Sequence, residues 1–162
     1  MSAGVSAAKQ SLDSFQEAEL NRFITFRIAR LHAKLNIQAA KLLAETAGLS
    51  LTQWRIIALL GNMGQCNSSD LVRVSAMDKG LLSRRLKSLV QEGLVVSMVD
   101  RSDSRVHPLR LSAKGRRLFE ETLPHTRRRQ AAIRASLTDE ELETLFTIFE
   151  KLDRAAELTE FD

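Results

Sequence analysis

Several kinds of protein are excluded by what this chain lacks. It has a single cysteine, Cys66, so no internal disulfide can close, and the reducing cytoplasm is the expected location. Its longest uninterrupted apolar run, Ile56 to Leu60, falls far short of the roughly 18 to 20 residues that cross a bilayer, so no membrane span is expected. The first fifteen residues carry neither a basic start nor an apolar stretch, and no secretory leader is expected. Its three histidines, His32, His107 and His125, are far apart and match no zinc-binding spacing. There is no glycine-rich phosphate loop, nucleophile elbow or kinase signature. The adjacent acids Glu120–Glu121 and Glu140–Glu141 would diverge by about 100° on a helix, too far to share a proton readily. No metal, cofactor or catalytic residue is expected, and an enzyme is the least favoured reading. No repeat of 20 to 50 residues and no low-complexity block appears.

What is present fits one folded module. The 162 residues suffice for a single domain with its own core, and 44% apolar with 27% charged residues is near the globular average. Net charge is only +4, but its distribution is uneven. From Arg73 to Arg117 there are eleven Lys or Arg against four acids, a balance of +7; from Thr138 to Asp162 there are two against nine, a balance of −7. A polyanion would be attracted to the middle of the chain and repelled by its end. Charge alone does not decide the matter, since mixed Lys and Glu faces are often only solvated surface.

Helical periodicity organises most of the rest. Residues 1–12 read as a loose tail. From Ser14 to Ala47 neither proline nor glycine intervenes. At about 100° per residue Leu20, Ile24, Leu31, Leu35 and Leu42 form one stripe, and Phe26, Ala33, Ile37 and Ala40 a second. One stripe can pack on the chain's own core; the other needs a later helix or a second subunit. Gly48 stops this helix. Ser50 caps a helix from Leu51 to about Asn62, and Asn67 to Ser69 open a helix of about two turns. Asp78 caps a further helix, Lys79 to Glu92, which Gly93 stops. Two short helices joined by a tight turn make a helix-turn-helix. The apolar segments Leu94–Val99 and Val106–Leu111 flank a polar tip, 100–105, as a β-hairpin, in which Pro108 predicts an edge strand. Ser112 caps an arginine-rich helix that Pro124 should kink or break. Thr138 with Glu141 is a capping box opening a last helix to about Leu158. Leu142, Leu145, Phe146, Phe149, Leu152 and Ala156 share one face of it.

The residue types that point to chemistry lie in the helix-turn-helix and the hairpin. Leu82, Leu86 and Leu89 would face inward, leaving Lys79, Gly80, Ser83, Arg84 and Lys87 toward solvent with no acid after Asp78. A helix enters the major groove only if its leading end avoids bulk and negative charge, and there Arg84 can take a bidentate pair with guanine. Ser83 is short enough for a phosphate or a base edge. Lys79, Lys87 and the helix start at Ser68 suit phosphates. Arg101 and Arg105 on the hairpin tip can reach an adjacent minor groove, with Asp103 orienting one guanidinium. Cys66, with Gln65, Asn67 and Ser68 beside it and no Lys, Arg or His within six positions, reads as a loop cysteine without thiolate stabilisation.

Over about residues 20 to 158 the sequence resembles the multiple antibiotic resistance regulators, the MarR-type winged-helix repressors. The resemblance is carried by Ser69-Asp70-Leu71, Leu81-Leu82-Ser83-Arg84-Arg85-Leu86, Glu92-Gly93-Leu94-Val95, Asp100 to Arg105, Leu111 to Gly115 and Leu137 to Leu142. It implies a mainly α fold with a small β-hairpin wing, divided into a tail (1–12), an N-terminal dimerisation helix (13–48), a winged helix-turn-helix (49–112) and C-terminal dimerisation helices (113–162). It further implies a homodimer on palindromic double-stranded DNA, with Ser83 and Arg84 on recognition-helix positions and Asp103 and Arg105 on the wing motif. Leu81 stands where the family more often has Thr or Ser, and Arg85 where an apolar residue is commoner. Family members often release DNA when a small aromatic molecule or an oxidant acts between the dimer helices and the winged region. His32 and Trp54 are candidates for such a cleft, although each also reads as an ordinary packing residue. The expected function is a DNA-binding repressor. The competing reading is a helical dimer that senses a ligand or uses its basic patch to hold an acidic protein.

Overall fold

The computed structural model describes residues 19–75, 77–97 and 108–160. Its elements in chain order are α1 (Ile24–Ala47), α2 (Leu51–Met63), β1 (Gln65–Cys66), α3 (Ser68–Ser75), α4 (Lys79–Gln91), β2 (Val95–Ser97), β3 (Leu109–Leu111), α5 (Ala113–Arg134) and α6 (Asp139–Ala156). The fold is mainly helical with one small antiparallel sheet, the winged-helix arrangement.

Local signals set most helix ends. The Ser50 hydroxyl accepts from the Gln53 amide at 3.3 Å while Gln53 Oε1 accepts from the Ser50 amide at 3.0 Å, a complete capping box for α2. Thr138 and Glu141 do the same for α6, and the Ser112 hydroxyl accepts from the Gly115 amide at 2.9 Å to start α5. Each such cap is worth about 1 kcal/mol. Gly48 and Gly93, at φ 62° and 71°, occupy the left-handed conformation in which a side chain would be strained.

The core forms around α2, whose Trp54, Ile56, Ile57 and Leu60 are buried. Leu43, Leu71, Leu82, Leu86 and Leu89 close on it from the helices, and Leu94, Val95, Leu109 and Leu111 from the sheet region. Trp54 stacks on Phe119 of α5 with ring centroids 6.0 Å apart.

Five expectations need correction. The first helix does not run unbroken from Ser14: Phe23 is extended, and α1 begins at Ile24. Its buried residues are Ala39 and Leu43, members of neither stripe, whereas Ile24, Leu31 and Ile37 are exposed. Cys66 is not a loop residue; it lies buried in β1, which pairs with β3 through Cys66↔Leu109 and Gln65↔Arg110. The ladder is therefore three-stranded, in the order β1-β3-β2, and β3 is central rather than at an edge. Pro108 precedes its first residue, so no ladder donor is lost. Finally, of the kink or break expected at Pro124 the break does not occur, since α5 passes through it as one continuous helix.

The last helix has no buried residue at all. Its apolar face is only partly covered: Leu142, Leu145 and Leu152 are half-buried while Phe146 stays 57% exposed, which is unusual for a contiguous aromatic and aliphatic stripe in a monomer.

Candidate nucleic-acid interface

Packing of α4 determines which residues it offers. Leu82, Leu86 and Leu89 are buried against the core, so Gly80, Ser83, Arg84 and Lys87 on the far side are exposed, as are Lys79 and Arg85 on the two flanks. The helix starts where Asp78 Oδ1 accepts from the Leu81 amide at 2.8 Å. That bond satisfies an end amide and engages the carboxylate nearest the face. A Cβ on Gly80 would lie 3.2 Å from Asp78 Oδ1 and 3.5 Å from Arg84 Nη1. The Arg84 side chain thus runs back over Gly80 toward the leading turn, the direction that helical side chains favour. Among the described residues, Lys79, Arg84, Arg85 and Lys87 form no ion pair. Arg85 is exposed as well, but it is turned about 100° from Arg84, onto the flank beside Leu89. Leu81 is half-buried.

Ser68 and Ser69 are exposed at the start of α3. Asn67 Oδ1 accepts from the Asp70 amide at 2.8 Å, Asp70 Oδ2 accepts from the Asn67 amide at 3.3 Å, and Asp70 pairs with Arg73 at 3.3 Å. Of the proposed contacts, the structure brings Lys79, Gly80, Ser83, Arg84 and Lys87 onto one face. Arg101, Asp103 and Arg105 lie outside the described residues. Arg110, in mid-β3, is a further exposed cation, and no local pattern around it marks it out.

The C-terminal end of α4 closes in a Schellman motif, with the Leu94 amide donating to the Leu89 carbonyl and the Gly93 amide to the Val90 carbonyl. Three residues at the start of α5 fasten this corner. The Ser112 hydroxyl donates to the Gly93 carbonyl at 2.6 Å, Lys114 Nζ to the Glu92 carbonyl at 2.9 Å, and Gly115 abuts the Leu94 carbonyl so closely that a Cβ would overlap it.

A cavity of about 820 Å³ opens between α1, α2, α5 and α6. His32 and Trp54 both line it, with an apolar surround that includes Leu42, Ile133 and Phe146. Its cationic lining is Arg55, Arg129 and Arg134, and no carboxylate belongs to it among the described residues. Arg129 donates to the Leu35 carbonyl at 2.8 Å and to Gln38 Oε1 at 3.0 Å, while Arg55 donates to Asn36 Oδ1 at 3.0 Å. Four helices contribute these residues, so no local spacing in the sequence announces the cluster.

Burial, with a smaller contribution from the negative charge of Asp70, pushes the Cys66 thiol above its ordinary pKa. It is therefore a protonated, weakly nucleophilic group at neutral pH. Iodoacetamide should alkylate Cys66 in the folded protein at least tenfold more slowly than in urea at pH 7, a difference of about 1.4 kcal/mol or more in reactivity; equal rates would contradict the buried, protonated thiol. Among the described residues no cluster of three His, Cys, Asp or Glu could hold a metal ion, and no helix is long and apolar enough to cross a membrane.

Comparison with known proteins agrees with this arrangement. The family model described as "MarR family" matches residues 49–107. The HTH-type transcriptional regulator BilQ of Clostridium symbiosum is 27% identical over 110 residues, covering 68% of this chain and 76% of that protein. A probable transcriptional regulator from Pseudomonas aeruginosa is 30% identical, covering 82% of this chain and 98% of that one at a TM-score of 0.64. The structure of NadR in complex with 4-hydroxyphenylacetate is 29% identical, covering 80% and 92%, at a TM-score of 0.67.

Proposed function

Since the chain belongs to the MarR family of transcriptional regulators, which are DNA-binding and non-enzymatic, we propose that it is a repressor that binds a palindromic operator as a homodimer and is released by a small organic anion. The observation that carries the DNA-binding reading is the face of α4, where exposed cations stand without ion-pair partners among the described residues, away from Leu82, Leu86 and Leu89. In this reading Arg84 and Ser83 reach base edges in the major groove, and Gly80 keeps the leading turn slim. Lys79, Lys87 and the amides at Ser68 bind phosphates. Arg101 and Arg105, steered by Asp103, take the neighbouring minor groove. The unburied apolar faces of α1 and α6 would pair with those of a second copy. The two recognition helices would then stand about one helical turn of DNA apart, roughly 34 to 36 Å.

Selecting bound fragments from a genomic pool tests the reading, because it reports sequence, symmetry and half-site spacing together. Fragments that remain unshifted at both low and moderate salt would favour the protein-binding adaptor. With the selected operator in hand, Arg84→Ala should cost about 1 to 3 kcal/mol and relax preference at one base pair. Equal losses on operator and scrambled DNA would remove its base-reading role. Lys87→Ala should weaken binding to both alike and lower the salt slope by about one unit.

The effector class follows from the cavity's chemistry. An apolar chamber lined by Arg55 and Arg129, with no carboxylate in its lining among the described residues and Arg134 turned to Asp139 at 3.4 Å, suits an aromatic monocarboxylate, and the NadR structure holds 4-hydroxyphenylacetate. Aromatic carboxylates should dissociate the complex with operator, whereas their neutral amides should not.

A further inference from the structure

Glu92 occupies an electrostatically poor place. It ends α4, where the helix dipole is negative, and the last turn of α4 has no basic residue of its own. Its carboxylate is held instead by neighbours. The Ser88 hydroxyl donates to Oε1 at 2.6 Å, and Gln53 Nε2 donates to Oε2 at 3.3 Å and to Oε1 at 3.4 Å. The other end of the same Gln53 amide, Oε1, accepts from the Ser50 amide at 3.0 Å and from the Ser50 hydroxyl at 2.8 Å in the capping box of α2. Gln53 therefore uses its acceptor to fix the start of one helix and its donor to hold the end of another. It stands next to Trp54, which is buried and stacked on Phe119, so its backbone sits on one of the most firmly packed parts of the chain. The Leu82, Leu86 and Leu89 contacts that seat α4 are apolar and non-directional. Hydrogen bonds have narrow distance and angle requirements and can fix a helix where apolar packing allows it to slide.

We propose that Gln53 and Glu92 form a clamp that locks the C-terminal end of α4 to the start of α2, making Gln53 a specificity-determining positioning residue that touches no DNA. The proposal rests on the DNA-binding reading above and deepens it. The seating of the reading face depends on a residue three elements earlier in the chain, and discrimination between base sequences suffers when the clamp is lost even though every groove-facing side chain remains.

The test uses an exchange of donor and acceptor. Gln53→Glu retains an acceptor for Ser50, and Glu at this position is a favoured capping-box residue, so α2 should not be weakened; the substitution does set one carboxylate against another at Glu92. Glu92→Gln in the same chain restores a donor–acceptor pair with the roles reversed. Amide hydrogen exchange of the full-length free protein should speed up at Leu89 to Leu94 by about tenfold in Gln53→Glu and return to the parent rate in the double variant, with the rest of the core unchanged. The ratio of affinity for the selected operator over scrambled DNA should fall by about fivefold in the single variant and recover to within twofold in the double. Exchange at Leu89 to Leu94 that ignores Gln53→Glu, or a double variant that fails to recover, overturns the clamp. Altered exchange with an unchanged affinity ratio overturns its role in specificity. Failure of the underlying reading would look different: the parent protein itself would select no operator, while hydrogen exchange would still decide whether the clamp exists.

Discussion

Gly115→Ala should destabilise the protein by about 3 kcal/mol or more, a fall in Tm of roughly 6 to 12 °C for a chain of this size. Helix propensity alone argues for the opposite sign, because Gly115 lies within α5 and Ala is the better helix former by about 1 kcal/mol. Geometry decides between them. The added methyl would overlap the Leu94 carbonyl oxygen, and that oxygen is already held by the Ser112 amide at 3.0 Å. A backbone carbonyl in a closed Schellman corner cannot swing aside as a flexible side chain can, so relief requires α5 to move away from the end of α4. The Ser112 and Lys114 bonds to Gly93 and Glu92 would then be lost together. Thermal denaturation followed by circular dichroism checks this, and a Tm equal to or above that of the parent would show that the contact is relieved at no cost.

The largest expected effect on DNA binding comes from a residue far from α4 in sequence. Phe149→Asp places a charge on the apolar face of α6 at a residue that is 43% exposed, on a helix with no fully buried residue, so the folded monomer should tolerate it with little change in Tm. If that face joins two copies, the substitution buries an unpaired carboxylate at the junction and separates them. A monomer grips one half-site and loses the gain of two linked heads, a factor of about 10² to 10⁴ in affinity. Sedimentation should show the monomer at micromolar concentration, and operator affinity should fall by at least about 100-fold. A variant that remains dimeric and binds as tightly as the parent would remove α6 from the interface.

How far the sequence foretold this arrangement depended on how local each signal was. The caps at Ser50, Asp78, Ser112 and Thr138 involve partners three residues away, and all four form as read. The Leu82, Leu86 and Leu89 stripe is likewise a property of one helix. Features that depend on partners distant in the chain were not legible. Strand β1 has only two residues, and what makes them a strand is β3, more than forty positions later. The same pairing moves β3 to the middle of the sheet and buries Cys66. The choice of Ala39 and Leu43 as the buried residues of α1 reflects where α2 and α5 meet it, which periodicity does not encode. The cationic cavity gathers Arg55 from α2 with Arg129 and Arg134 from α5, more than seventy positions later.

Pro124 sits midway along α5, and proline supplies no amide for the carbonyl of Glu120 one turn earlier. The beginning of this rod is bolted to the end of α4 through Ser112, Lys114 and Gly115, while its far end carries Arg129, Ile133 and Arg134 into the cavity wall. With one rung of its ladder missing between these attachments, the rod flexes there at the least energetic cost. The softest point of α5 thus lies between its attachment to the end of α4 and its share of the cavity wall.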